Sequence, residues 1–138
     1  MPLIREKLSA GKSVTFSPRG KSMLPTLHEG RDSVTLVSPP ARLEKYDIAL
    51  YQRKNGQYVL HRVVRVGDTY TFIGDNQFNL EKGIEHSSVI GLCASYVRNG
   101  KKIVRDSFRA RAYATFLHYT RFPHRIFRAI ARRLTRVP

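Results

Sequence analysis

The sequence predicts a mainly β protein: a small coiled antiparallel sheet or barrel followed by a basic C-terminal helical tail. Three observations carry that prediction. Short runs in which β-branched and aromatic residues alternate with period two recur between residues 12 and 105. Turn signals separate them, Asn55-Gly56 and Asn99-Gly100 being the strongest. After Asp106 the apolar period changes from two to helical.

Taken in order, "PLIREKLSAG" at residues 2–11 reads as a short helix closed by Gly11. Strands are predicted at 12–17, 33–38 and 47–53. "QYVLHRVVRV" at 57–66 follows Asn55-Gly56, so it forms a hairpin with the run before it. A strand at 69–74 closes on it across Gly67-Asp68. "SVIGLCASYVR" and "KKIVR" flank Asn99-Gly100 and read as a further hairpin. From residue 107 to the end the chain carries eight arginines and no acid. There Ile126, Phe127, Ile130, Leu134 and Val137 fall on one helical face, and Arg125, Arg128, Arg132, Arg133 and Arg136 on the remainder. Pro123 suits the first turn of that second helix. The expected organisation is a β domain over residues 1–106 with a basic amphipathic helical tail over 107–138.

A chain of 138 residues with 41% hydrophobic content builds one packed domain. Its formal charge of +15 draws it toward polyanions, either nucleic acid or anionic lipid. The single cysteine, Cys93, excludes an internal disulfide, and no Cys/His spacing suggests zinc, so neither metal nor cofactor is expected. Cys93 lies in an apolar run and reads as a small buried hydrophobe. The first residues lack the continuous apolar region of a signal peptide, and no stretch approaches the roughly 20 apolar residues that cross a bilayer. A cytoplasmic or peripheral membrane location is therefore expected.

A serine nucleophile needs a base to take its proton, and donors to stabilise the oxyanion. Ser22 sits in "GKSMLPTL", where Gly20 permits unusual backbone angles and Pro25 restrains the chain beyond. His61 falls mid-strand on the face shared with Val59 and Val63. "FIGDNQFNLEKG" presents Asp75 and, six positions on, Glu81. Taken singly these are a turn hydroxyl, a core histidine, a turn aspartate and a solvated charge.

In combination and in order, "GKSMLPTLHEG", "YDIALYQRKNGQYVLHRVV", "FIGDNQ" and "VIGLCASYV" resemble the signal peptidase I and LexA-like serine peptidase superfamily over about residues 11–98. The first segment is similar to the nucleophile box, the second to the strand pair that carries the general base, and the third to the Gly-Asp-Asn box. The resemblance implies a LexA/signal peptidase type of fold, with Ser22 as nucleophile. Many members use a lysine base, whereas the matching place here holds His61, as in the archaeal and endoplasmic-reticulum type. Histidine is mostly neutral near pH 7, while a lysine must be desolvated to lose its proton. Asp75 matches the aspartate of the third box and ranks first as the acid, with Glu81 close behind. The backbone N–H of Ser22 is the implied oxyanion donor. Many relatives add a serine two residues before the nucleophile, where this chain has Gly20, which at worst costs a factor of about a hundred to a thousand in rate.

The implied activity is a serine endopeptidase that cuts leader or signal-like peptides after small residues, the substrate lying as an added strand. Ala112-Tyr113-Ala114 within the chain makes self-processing, as in a LexA-like regulator, one alternative. A catalytically inactive basic β module on nucleic acid or a membrane surface is another. The expected partners are a peptide or protein substrate and, through the tail, an anionic membrane. Nucleic acid ranks last, because no recognised binding motif accompanies the arginines.

Overall fold

The structure, a computed structural model, describes residues 2–118. A helix, α1 (Pro2–Ser9), precedes eight strands: β1 (Val14–Phe16), β2 (Ser33–Val37), β3 (Ile48–Gln52), β4 (Tyr58–Val66), β5 (Tyr70–Ile73), β6 (Glu81–Ile84), β7 (Val89–Arg98) and β8 (Lys101–Val104). A second helix, α2, is described over residues 108–118.

All strand pairs are antiparallel, in the order β1-β2-β7-β3-β4-β5-β6. The ten-residue β7 organises the sheet: β2 runs along one edge, while β3 takes the first half of the other edge and β8 the second. The two hairpin signals hold. Between β3 and β4, the Arg53 amide donates to Gln57 across Asn55-Gly56. Between β7 and β8, Asn99 and Gly100 both take positive φ (50° and 81°), the twist a two-residue hairpin needs.

Alternation sends side chains to two cores. Along β3, Ile48 and Leu50 join Leu8, Met23, Leu27, Val34, Leu36 and Tyr96 on one side of the sheet. Ala49 and Tyr51 join Val59, Val63, Tyr70 and Phe72 on the other. Cys93 is buried in the first core, and burial pushes its thiol up to about 12, which keeps it protonated and inert.

Of the sheet or barrel expected, the structure has the open sheet. The sheet does not close into a barrel: β1, with three residues, and β6, with four, stay at its two ends. The sequence reading also has no counterpart of β6, since "EKGI" is half-exposed and shows no alternation. The tail's first part is packed against the β domain. Ser107 Oγ accepts the Ala110 amide as an N-cap, Ala114 is buried, and Arg111 donates to the Glu44 carboxylate and the Lys45 carbonyl. Secondary structure thus changes at residue 107 while the packed unit continues beyond it. The arginine-flanked stripe over 126–137 lies outside the described residues.

Candidate active site

Ser22 lies in the loop between β1 and β2, and its half-buried position follows from what the loop does on either side. Met23 and Leu27 are driven into the first core, and Thr26 between them is fully buried. The Leu27 amide closes a turn onto the Met23 carbonyl at 2.9 Å, and the Leu24–Pro25 peptide is cis. At the far end Asp32, also buried, accepts the amides of His28 and Asn99 and the Arg31 guanidinium. These bonds hold its carboxyl well below the usual carboxylate range, Arg31 contributing most.

The Gly74-Asp75-Asn76 turn grips the loop from the other side. The Asn76 amide donates to the Ser22 carbonyl at 2.8 Å. A Cβ on Gly74 would stand 2.7 Å from that same carbonyl oxygen, so only glycine admits so close an approach. Asp75 accepts the Thr26 hydroxyl at 2.5 Å, and Tyr113 of α2 pairs with the same hydroxyl at 2.9 Å. The first and third sequence boxes therefore meet in space, joined by one main-chain and one side-chain hydrogen bond.

His61 is buried in β4, directly opposite Ala49 of β3. With Ser22 it lines a cleft of about 740 Å³ whose walls include Phe16, Met23, Leu50 and Leu60. Gly20 also lines it, with φ +86°, and brings no side-chain donor to an oxyanion. Among the described residues no lysine lines the cleft, and Lys21, next to Ser22 in sequence, is exposed. A hydroxyl and an imidazole on the walls of one cleft, among apolar residues and the polar Arg19, Arg53, Gln57 and Gln77, are two of the parts that nucleophilic acyl transfer requires.

The two candidate acids occupy different surroundings. Asp75 is engaged by Arg62, the residue after His61 on β4: Nε donates to Oδ1 at 2.8 Å and one terminal nitrogen to Oδ2 at 2.9 Å. Burial works against the Arg62 charge, but Asp75 beside it more than offsets this and holds the guanidinium above its ordinary value. With Thr26 on the same carboxylate, the bonds shown for Asp75 go to the Ser22 loop and to Arg62, so Asp75 clamps that loop to β4. Glu81 belongs to the other group. Arg53 donates to both its oxygens, at 2.9 and 3.2 Å, and Glu81 acts electrostatically on His61. Burial works against the Glu81 charge, and Arg53 and Tyr51 together outweigh it, leaving the carboxyl below its usual value.

Two residues absent from the sequence-based site emerge here. Tyr51 Oη lies 3.3 Å from His61 Nδ1, and Arg62 is the cation that fixes Asp75. Among the described residues no group of three or more His, Cys, Asp or Glu side chains is placed to hold a metal ion, and no helix is long and apolar enough to cross a membrane.

No protein-family model, curated protein or solved structure matches this chain.

Proposed function

We propose that the chain is a serine endopeptidase of the LexA/signal peptidase type, cutting leader or signal-like peptides after small residues. Ser22 attacks the scissile carbonyl, and His61 takes its proton and later gives it to the leaving amine. The observation that carries this reading is that Ser22 and His61 line one cleft while the Gly-Asp-Asn turn holds the serine loop by its backbone. The apolar part of the wall, Phe16, Met23, Leu50 and Leu60, suits a peptide bearing small or aliphatic side chains. The basic tail would bring the cleft to peptides at an anionic membrane surface, so the protein would act in the cytoplasm or peripherally on a membrane.

Peptides with alanine one and three residues before the scissile bond provide the test, with Ser22→Ala and His61→Ala as controls. Cleavage by the parent and none by either folded variant supports the proposal; full activity in either variant removes it. The formal charge of +15 favours a second reading, a basic module that binds polyanions without catalysis. That reading requires salt-sensitive binding to anionic vesicles or nucleic acid, indifferent to Ser22→Ala, and no peptide cleavage.

A further inference from the structure

We propose that Tyr51 and Glu81 are the positioning residues of His61, the tyrosine hydroxyl standing between the imidazole and the carboxylate where a serine peptidase would place an acid directly. The inference rests on the peptidase reading for its consequence, though its geometry stands independently. Tyr51 Oη is 3.3 Å from His61 Nδ1, and the Glu81 carboxylate, fixed by Arg53 with Nε at 2.9 Å and a terminal nitrogen at 2.7 Å, is near enough to act on both the tyrosine hydroxyl and the imidazole.

The tautomer follows from counting protons. Tyr51 has one hydroxyl hydrogen and two candidate acceptors, the Glu81 carboxylate and His61 Nδ1. A hydrogen bond to an ionised acceptor is the stronger, so the hydrogen goes to Glu81. Tyr51 Oη can then only accept from His61, which requires the ring to carry its hydrogen on Nδ1. Nε2 becomes the basic nitrogen, the one a base must use toward Ser22. Burial, reinforced by Glu81, raises the Tyr51 hydroxyl above its ordinary value, so the relay keeps its proton across the working pH range.

Charge works in the same direction. The titratable and charged groups about His61 are Tyr51 and Arg53 from β3 and its end, Glu81 from β6, and Arg19 and Tyr58 along the cleft wall. Arg62 is matched by Asp75. Glu81 is therefore the carboxylate placed to stabilise the imidazolium formed when Ser22 loses its proton.

The first test needs no substrate. Imidazole nitrogen–proton correlation spectra of the full chain, with His61→Gln to identify the resonance, report the tautomer directly. The expected result is neutral His61 protonated on Nδ1, with Tyr51→Phe giving a tautomer mixture. Protonation on Nε2 in the parent, or no change in Tyr51→Phe, overturns the proposal. Glu81→Gln, at the half-exposed sheet end, keeps the test open should Tyr51→Phe not fold. Removing the negative charge lowers the His61 pKa by about half a unit or more, whereas Glu81→Asp keeps most of it; equal pKa values in parent and Glu81→Gln overturn the proposal.

The second test uses the alanine peptides. Tyr51→Phe and Glu81→Gln should each lower kcat about tenfold or more with KM unchanged, and Glu81→Gln should move the acid limb to lower pH. Loss of cleavage in Ser22→Ala combined with unchanged kcat in both relay variants leaves the peptidase reading standing and removes this one.

Discussion

The amide of Asn76 donates to the carbonyl of Ser22 at 2.8 Å, so the candidate nucleophile is held through its own main chain and not through its side chain. The hydrogen bond fixes the loop at the residue that carries the hydroxyl. The predictions below follow from that division between gripping the backbone and using the side chain.

Removing the hydroxyl or the imidazole should leave the fold intact. Ser22→Ala and His61→Ala are each expected to lower peptide cleavage by about 10⁴-fold or more, with the denaturation midpoint close to the parent's in Ser22→Ala and lowered in His61→Ala, whose buried ring leaves a cavity beside Tyr51. Initial rates and urea titrations check this. The acid limb of kcat/KM should fall near the ordinary histidine range, roughly pH 6 to 7, and a limb above about 8 would point instead to a lysine.

Gly74→Ala puts a methyl carbon 2.7 Å from the Ser22 carbonyl oxygen, a main-chain atom that cannot swing away. The serine loop must shift. We expect a stability loss of about 1–3 kcal/mol by chemical denaturation and a larger fall in kcat than in binding. Unchanged kcat in Gly74→Ala would mean that the loop's position does not set the reaction geometry.

Asp75→Asn breaks a buried pair in which Asp75 is shielded from solvent and Arg62 nearly so. Breaking such a pair costs about 3–5 kcal/mol, because the partner stays buried and charged. The predicted signature is a large drop in the denaturation midpoint with the acid limb of any residual activity in place. A shift of that limb would make Asp75 a partner of His61 instead.

Asp32 links stability to pH. Its carboxyl is depressed in the folded state by Arg31 first and then by the Asn99 and His28 amides, against the opposing effect of burial. The stabilisation is therefore fully present above the unfolded value of about 4 and is lost as pH falls below it. Urea midpoints of the parent and Asp32→Asn should differ most at neutral pH and converge on acidification. A constant difference between pH 7 and pH 3 would contradict the assignment.

The strands were legible because burial imposes alternation, and both Asn-Gly hairpins because they need positive φ. β6 was not, since a short half-exposed end strand leaves no hydrophobic pattern to read. Ser22 and His61 stood out by residue type and box order. Tyr51 was hidden as one more aromatic on a strand, although the Asn55-Gly56 hairpin sets His61 opposite Ala49 and Tyr51 diagonal to it on the same face. Arg62 read as the neighbour of a candidate base. Its pairing with Asp75 depends on the exact register of the β4–β5 hairpin, which is shifted by an irregularity between Val63 and Arg65 that the Gly67-Asp68 turn signal does not reveal.

His61 and Arg62 follow one another on β4, and the pleat sends one toward Tyr51 and the other to Asp75. The three-residue turn at Lys54-Asn55-Gly56 is thus a phase lock. One residue inserted there, or a slip of one position against β3, would exchange the two: a permanent cation where the base belongs, and an imidazole facing a carboxylate cut to fit a guanidinium fork. Length at that turn is under tighter constraint than the identity of most residues in the cleft it serves.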